Sequence, residues 1–151
     1  MSNPGAVIVA RMIPQGSVGV EIGVWNGESS AQFLKRTSHL HLVDPWVGRD
    51  DQYRKVKARF ANLAVTIHRC KSEKFFAAFK GLVDWVYVDG AHDYETVLSD
   101  LQGAARILKP GGVIYGDDYG HRGGVKEAVD EFASVRKREC KLLGLVQYAI
   151  A

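Results

Sequence analysis

Cysteine is scarce in this 151-residue chain, which has only Cys70 and Cys140. Two cysteines cannot form a disulfide framework, so we expect a reduced, cytoplasmic setting. Long apolar runs are also missing, since none approaches the roughly 20 residues that a membrane-spanning helix needs. The early run Ala6 to Ala10 is too short for the core of a signal peptide. We therefore expect neither a membrane protein nor a disulfide-stapled secreted one.

Net charge is low as well. The chain has 20 Lys and Arg against 17 Asp and Glu, a formal charge of +3, with neither a basic run nor an acidic tail. Composition therefore gives no reason to expect a nucleic-acid partner. Apolar residues at 46% and charged residues at 25% are ordinary for a globular protein. With no repeat or linker, the length predicts a single domain over residues 1–151.

Short apolar runs alternate with segments of helical period along the chain. The runs are nearly continuous in Val, Ile, Leu and Tyr, which is typical of strands covered on both faces: Val18 to Val24, Leu40 to Val43, Val65 to His68, Val83 to Val88 and Gly112 to Tyr115. Apolar residues recur at intervals of three and four over 53–63, 94–108 and 125–135. This alternation predicts an α/β fold, a doubly wound, mostly parallel sheet with helices on both faces. The last stretch, 138–151, is β-like and broken at Gly144, which predicts a C-terminal antiparallel hairpin.

The loop after the first predicted strand contains two glycines four residues apart, Gly23 and Gly27. Ligands of such sheets bind at the carboxyl ends of the strands. Glycines there allow a close approach of backbone to ligand, and the amides of a helix beginning near Glu28 can bind an anion such as a carboxylate. The dinucleotide-binding fingerprint has a different glycine spacing, which counts against a nicotinamide enzyme. The alternative is that both are simple turn glycines.

Asp44 ends the second predicted strand, 17 residues after Gly27. A carboxylate at this place in the fold meets a ribose diol. The alternative interpretation is a helix cap or a turn residue before Pro45.

Three further aspartates follow the fourth and fifth predicted strands, namely Asp89, Asp117 and Asp118. Because these strands should be neighbours, the carboxylates should meet at one end of the sheet and repel one another unless a cation compensates them. Oxygen ligands with open positions suit Mg²⁺. Alternatively, some of them cap the helices that follow.

Three segments and two single residues together resemble a class I S-adenosylmethionine-dependent methyltransferase. They are Glu21-Ile22-Gly23-Val24-Trp25-Asn26-Gly27-Glu28-Ser29, Asp44, Ser72, Val88-Asp89-Gly90-Ala91-His92-Asp93-Tyr94-Glu95 and Lys109-Pro110-Gly111-Gly112-Val113-Ile114-Tyr115-Gly116-Asp117-Asp118. More narrowly, they resemble the metal-dependent O-methyltransferases of methyltransferase domain family 24, the macrocin type that methylates sugar hydroxyls, and more distantly catechol O-methyltransferase. The resemblance covers nearly the whole chain and implies a Rossmann-like fold.

The resemblance also implies S-adenosylmethionine as cofactor and a role for each matching residue. Glu21, Gly23 and Gly27 would shape the pocket for the cofactor's methionine part, and Trp25 and Asn26 in the same loop would also bind the cofactor. Ser29 would help to hold its carboxylate, Asp44 would bind the ribose hydroxyls, and Ser72 would lie beside the adenine.

On the acceptor side, the resemblance implies that Asp89, Asp117 and Asp118 ligate Mg²⁺ or Mn²⁺, with Asp89 also close to the sulfonium charge. In the catechol enzymes the general base is a lysine three residues after the first metal-binding aspartate. His92 has that position here, and a reference pKa of about 6.5 suits a base at neutral pH.

The sequence therefore predicts a divalent-metal-dependent O-methyltransferase that acts on a small-molecule hydroxyl, in a vicinal diol, a sugar or a catechol-like compound. The expected partner is this acceptor rather than a membrane or a nucleic acid, and a homodimer is compatible with the fold. Two alternatives stay open: a metal-free methyltransferase of another substrate class, and a cofactor-binding protein of the same fold without turnover.

Overall fold

The computed structural model describes residues 3–151, and within them one sheet is flanked by helices on both faces. The helices are α1 (Pro4–Met12), α2 (Glu28–Leu34), α3 (Asp50–Arg59), α4 (Ser72–Ala78), α5 (Tyr94–Ile107) and α6 (Val125–Arg136). The strands are β1 (Ser17–Ile22), β2 (Thr37–Val43), β3 (Val65–His68), β4 (Val83–Val88), β5 (Leu108–Gly116), β6 (Cys140–Leu142) and β7 (Tyr148–Ile150).

The sheet has seven strands in the order β3-β2-β1-β4-β5-β7-β6. The first five strands are parallel, while β7 is antiparallel to both β5 and β6. This confirms the predicted doubly wound sheet and its C-terminal antiparallel pair. Strand order reverses between β1 and β4, and the crevice at their carboxyl ends is where ligands of open α/β sheets bind.

Two hydrophobic layers cover the sheet, one on each face. In β4, Val86 and Val88 pack towards α4, α5 and α6, whereas the alternate residues Trp85 and Tyr87 pack towards α1, α2 and α3. Successive side chains of a strand point to opposite faces, so a strand covered on both faces is apolar throughout. This is why the central strands are readable from sequence as continuous apolar runs.

Several boundaries differ from those predicted. β1 ends at Ile22 rather than Val24, because the chain turns at Gly23, whose φ is 87°. β5 begins at Leu108 rather than Gly112, and its pairing with β4 is irregular between Val83 and Trp85.

Two helices were not predicted, α1 and α4. In α1 the Asn3 side chain accepts hydrogen bonds from the amides of Gly5 (3.0 Å) and Ala6 (3.3 Å), and Pro4 opens the helix. A capping Asn followed by Pro is a typical start of a helix. The helix α4 has seven residues and buries Phe75 and Phe76. None of the helices within residues 3–151 has the length and apolar character needed to cross a membrane.

Candidate functional site

A cavity of about 570 Å³ lies at the carboxyl ends of β1, β2 and β4, a volume within the usual range for small-molecule sites. Its wall includes Gly23, Asp44, Ser72, Gly90, Ala91 and Asp100. Three residues predicted to bind the cofactor, Gly23, Asp44 and Ser72, are thus brought together around one cavity. Glu21, Trp25, Asn26, Gly27 and Ser29 lie nearby along β1 and α2 but do not line it.

Gly23 and Gly27 are required by the protein itself. Both have left-handed backbone, with φ of 87° and 80°. A Cβ atom at Gly23 would lie 2.0 Å from the Asp89 carbonyl oxygen, and one at Gly27 would lie 2.6 Å from the Phe60 ring. Protein atoms fill the space on the Cβ side of both glycines, which agrees with the alternative that they are turn glycines. Gly23 also lines the cavity.

The Asp44 carboxylate braces the two loops beside the cavity. Oδ2 accepts hydrogen bonds from the amides of Val24 and Trp25, both at 3.0 Å, and Oδ1 accepts one from the amide of Trp46 at 2.8 Å. A carboxylate has about four acceptor positions, so about one remains. Asp44 is thus the turn residue of the alternative interpretation. It also lines the cavity, where its carboxylate keeps one acceptor position for a hydroxyl such as that of a ribose.

The two tryptophans of these loops have different environments. Trp46 is 1% exposed, and its Nε1 donates to the Trp25 carbonyl at 2.8 Å. Trp25 is 48% exposed, with a φ of 55° and the Arg49 guanidinium 4.1 Å from its ring centre. Left-handed backbone is uncommon for a bulky residue and needs support from its surroundings, which the bonds from Asp44 and Trp46 supply here.

The Glu21 side chain links β1 to α2 on either side of the glycine loop. It is fully buried and accepts a hydrogen bond from the Ser30 hydroxyl. Burial raises the pKa of its carboxyl well above the usual value, and the charges of Asp89 and Asp44 raise it further. Among the described residues, Glu21 Oε1 has no hydrogen-bond partner.

The start of α2 is contacted by a residue that sequence reasoning missed, Asn3. Its Nδ2 donates to the Ser29 hydroxyl at 3.3 Å, which ties the start of α1 to that of α2. Asn26 Nδ2 similarly donates to Glu28 Oε1 at 3.4 Å. The Asn3-Pro4 pair was the signal in the sequence that could have identified this helix start.

On the other side of β4, three side chains converge. One potential ligand atom from each of Asp89, His92 and Asp118 lies within 4.8 Å of the other two, and within residues 3–151 no other such trio is found. His92 Nε2 and Asp118 Oδ2 form a hydrogen bond of 2.8 Å. Asp118 has left-handed backbone, with a φ of 63°. We refer to Asp89, His92 and Asp118 as the acidic triad.

Asp117 does not join the acidic triad, in contrast to the predicted metal set of Asp89, Asp117 and Asp118. Its oxygens accept hydrogen bonds from Gln147 Nε2 (2.7 Å), from the Asp118 amide (2.8 Å) and from the Tyr87 hydroxyl (3.3 Å). The third side chain in this cluster is that of His92, for which the resemblance implies the role of general base. Three donors already hold the Asp117 carboxylate, and two of them, Gln147 and Tyr87, are distant in the sequence.

The Asp89 carboxyl is buried beside the carboxylates of Asp117 and Asp118. Burial, followed by the charges of Asp117 and Asp118, raises the pKa of Asp89 to about 8, and Arg122 opposes this shift. A cation at the acidic triad would relieve that repulsion. The Asp89 carbonyl packs on Gly23, and Gly23 and the two residues after Asp89 line the cavity, although Asp89 itself does not.

Asp100 is a second functional candidate that sequence reasoning missed. It is 2% exposed, lies on α5 and forms part of the cavity wall. Burial raises the pKa of Asp100 to about 6, and a hydrogen bond from Ser72 opposes the rise. The available signal was a charged residue on the apolar stripe of a helix, between Val97 and Ala104.

Comparison with known families identifies the chain. The model of methyltransferase domain family 24, described as a methyltransferase domain, matches residues 20–119. The chain belongs to this methyltransferase family. The match spans the segment from β1 to Asp118, so it includes both the cavity and the acidic triad of this methyltransferase. A search of curated proteins gives no match.

Solved structures with the same fold cover most of this methyltransferase. A Staphylococcus aureus protein assigned as a caffeoyl-CoA O-methyltransferase has a TM-score of 0.79 at 14% identity, covering 99% of this chain and 84% of its own. A Clostridium thermocellum protein assigned as an rRNA methylase has a TM-score of 0.74 at 19% identity, covering 96% and 93%. A Streptococcus mutans protein assigned as a methyltransferase, solved with SAH, has a TM-score of 0.70 at 13% identity, covering 99% and 98%. Membership of the family supports S-adenosylmethionine as the methyl donor.

Proposed function

We propose that this methyltransferase is a divalent-metal-dependent O-methyltransferase that transfers the methyl group of S-adenosylmethionine to a hydroxyl of a small molecule. Vicinal diols, sugars and catechol-like compounds are the acceptor classes that fit this chemistry. The observation that carries the proposal is the acidic triad, which lies directly beside the cavity at the carboxyl end of β4.

The cavity is assigned to the adenosine part of the methyl donor. Asp44 accepts one ribose hydroxyl at its remaining acceptor position, and Ser72 borders the adenine. The methionine part then extends along the Gly23–Ser29 loop towards the start of α2, where backbone amides favour its carboxylate.

The donor atoms of the acidic triad fit a divalent ion. An octahedral ion with bonds of about 2.1 Å places its ligands about 3.0 to 4.2 Å apart, close to the separations of at most 4.8 Å in the triad. Three protein ligands leave positions for water and for two acceptor oxygens. When bound, such an ion stabilises the negative charge that develops on the acceptor oxygen.

Asp89 connects the donor and acceptor sides. Its backbone packs against Gly23, in the loop proposed to hold the methyl donor, while its side chain belongs to the acidic triad. Methyl transfer requires the acceptor oxygen in line with the methyl–sulfur bond. A single residue that contacts both halves fixes their relative placement.

His92 has two roles that this geometry allows, and they exclude each other. As the general base expected from sequence, it would have to use Nδ1, because Nε2 is bonded to Asp118. As a metal ligand it would use Nε2, and the proton of the acceptor hydroxyl would then pass to water.

Methyl transfer with and without EDTA tests the proposed function. Catechols, sugars and other vicinal diols are incubated with S-adenosylmethionine, and formation of S-adenosylhomocysteine is measured. We expect turnover that EDTA abolishes and Mn²⁺ or Mg²⁺ restores. Asp118→Asn should lose this turnover, whereas Asp51→Asn, whose side chain is 80% exposed on α3, should keep it.

EDTA-resistant methyl transfer would contradict the metal requirement and favour a metal-free methyltransferase. Binding of S-adenosylhomocysteine without transfer to any acceptor in the panel would favour the cofactor-binding protein without turnover.

A further inference from the structure

We propose that three histidines on β2 and β3, His39, His41 and His68, keep this edge of the sheet docked only while they are uncharged, so that their protonation releases β3 and α4 and weakens binding of the methyl donor. We refer to these three residues as the histidine cluster. The acid-sensitive docking goes beyond the proposed function, and only its consequence for the donor rests on the assignment of the cavity.

The imidazole rings of the histidine cluster contact one another across the two strands. The ring centres of His39 and His41 are 4.9 Å apart, and those of His41 and His68 are 5.3 Å apart. His41 Nδ1 and His68 Nε2 form a hydrogen bond of 3.1 Å, in which only one of the two nitrogens carries a hydrogen. His39 Nε2 is bonded to the Thr66 hydroxyl of β3 at 2.8 Å. Protonation of both His41 and His68 would place two hydrogens between their nitrogens and break the bond that joins the strands.

β3 depends on these contacts because it is a short edge strand. It has four residues, none of them buried, and within residues 3–151 it pairs with β2 alone. The seven-residue helix α4 packs on the histidine cluster through two rings. The Phe75 ring centre lies 4.8 Å from that of His68, and the Phe79 ring centre lies 5.1 Å from that of His41. Elements with few buried apolar contacts are the ones that open locally.

The surroundings of the histidine cluster favour uncharged rings. The ion pairs within residues 3–151 include none between a carboxylate and these histidines. Burial, followed by the charges of His39 and His68, lowers the pKa of His41 from 6.5 to about 4. Burial, followed by the charge of His39, also lowers the pKa of His68. The other titratable side chains on α4 and beside it are the half-buried Cys70 and the exposed Arg69, Lys71, Glu73, Lys74 and Lys80.

Acid therefore favours the open edge. The docked edge binds the His41 proton less tightly than the open edge does, so the docking is strongest above about pH 7 and weakens as pH falls from 6.5 towards 4. His41 alone shifts the equilibrium about 20-fold towards the open form between pH 7 and pH 5. Asp100, which accepts a hydrogen bond from Ser72 at the start of α4, acts in the opposite sense because its pKa is raised. Its contribution cancels when wild type is compared with a His41 variant.

The same edge carries part of the cavity wall. α4 begins at Ser72, which lines the cavity and lies four residues after His68. The Asp44 amide donates to the His68 carbonyl at 3.2 Å. Asp44 and Ser72 are the residues assigned to the ribose and the adenine, so an edge that leaves the sheet opens the adenosine part of the cavity.

Hydrogen–deuterium exchange of the ligand-free protein at pH 7 and pH 5, corrected for intrinsic exchange rates, measures this opening. The opening equilibrium constant of residues 65–79 in wild type should be at least about tenfold larger at pH 5, whereas that of β4 should not rise. His41→Phe keeps an aromatic ring beside Phe79 but has no titrating group, so it should lose most of the increase. His121→Gln replaces an exposed histidine outside the cluster and should keep the increase.

The same experiment with S-adenosylhomocysteine tests the link to the donor. A ligand that binds only the docked form should lower the opening equilibrium constant of residues 65–79 about 100-fold at 100 times its dissociation constant. Binding in calorimetry without this protection would overturn the link between the edge and the donor. If S-adenosylhomocysteine does not bind, the assignment of the cavity fails with that link, while exchange of the ligand-free protein still decides the docking.

Three results with the ligand-free protein would overturn the acid-sensitive docking. They are equal opening of residues 65–79 at both pH values in wild type, an increase that persists in His41→Phe, and an increase that extends to β4 and so reports global unfolding. If His41→Phe does not fold, a folded His41→Gln variant decides by the same criterion.

Discussion

Asp44 joins the loop after β1 to the loop after β2, and its carboxylate has two tasks. It accepts hydrogen bonds from the amides of Val24, Trp25 and Trp46, and it lines the cavity. Removal of the carboxylate should therefore affect both the fold of these loops and the binding of the methyl donor.

We expect Asp44→Ala to weaken S-adenosylhomocysteine binding about 10- to 100-fold, which corresponds to about 1.5–3 kcal/mol for a hydrogen bond to a charged group. The same substitution should lower stability, because three backbone amides lose their acceptor. Calorimetric titration measures the first effect and urea denaturation the second, with Asp51→Asn as the exposed control. If the folded variant is destabilised but binds S-adenosylhomocysteine with unchanged affinity, Asp44 only stabilises the two loops and does not bind the ligand.

The buried carboxyl of Asp100 predicts a pH dependence of stability. Its pKa is raised from 3.8 to about 6 in the folded chain, so the folded state holds this proton more tightly than the unfolded state. The resulting stabilisation is complete below about pH 4 and is lost as pH rises through 6. Asp100→Asn does not titrate, so the variant should gain about 3 kcal/mol relative to wild type between pH 4 and pH 7.

Urea denaturation at pH 4, 5, 6 and 7 checks this expectation. The titration of Asp89 occurs in both proteins and cancels in the difference between them. Parallel stability curves for wild type and Asp100→Asn would show that Asp100 does not titrate with a raised pKa.

Two adjacent aspartates differ in their contacts in a way that the sequence does not predict. Asp117 and Asp118 are adjacent aspartates after the same strand, and both were expected to bind metal. Asp118 reaches His92, whereas Asp117 is held by Gln147 and Tyr87 from other parts of the sheet. Long-range partners and the left-handed φ of Asp118 decide this difference, and neither is visible in local sequence.

At the scale of elements, α4 packs on α5 through the Phe76 ring, which fills the space where Gly103 has no side chain. A Cβ atom at Gly103 would lie 2.4 Å from the Phe76 ring. Gly103 is buried in the middle of α5, a position where glycine is otherwise unfavourable.

We expect Gly103→Ala to destabilise the protein by about 1–3 kcal/mol through overpacking, although alanine is favoured in helices by about 1 kcal/mol. Denaturant midpoints measure the change. Gln102→Ala, at the exposed neighbouring position, should stay within about 0.5 kcal/mol of wild type. If Gly103→Ala is more stable than wild type, the Phe76 ring can move away from the added methyl group without a loss of packing free energy.

The predictability of an element follows its length and its burial. The strands β2, β3 and β4 and the long helices α5 and α6 were predicted because each carries a continuous or periodic apolar pattern. The helix α4 has seven residues, about two turns, too few for a helical period to emerge from Phe75, Phe76 and Phe79. Short helices depend on tertiary packing rather than on their own propensity, so the sequence alone does not reveal them.

At the scale of the whole molecule, the cavity and the fold must be one cooperative unit, because the wall residues come from strands and helices across the chain. A ligand that binds only the folded state stabilises it by mass action. At 100 times its dissociation constant, S-adenosylhomocysteine should add about 2.7 kcal/mol and raise the melting temperature by about 5–10 °C.

Thermal unfolding with added ligand measures this stabilisation. NAD⁺ is the matched control, since the spacing of Gly23 and Gly27 differs from the dinucleotide fingerprint, and it should give no shift. Equal shifts with both ligands, or none with S-adenosylhomocysteine, would contradict the assignment of the cavity.

The order of the strands also bears on how the protein is made. β7 leaves the ribosome after the other six strands, yet it is inserted between β5 and β6, and Gln147 beside it holds Asp117. At about 5–20 residues per second, roughly 2–7 s pass between synthesis of Gly116 and synthesis of Ile150. Throughout that interval the outer hydrogen-bonding groups of β5 have no partner within the sheet, and an unpaired apolar strand is prone to intermolecular pairing. Until β7 is inserted, the nascent chain therefore exposes along β5 a strand edge that the finished sheet covers.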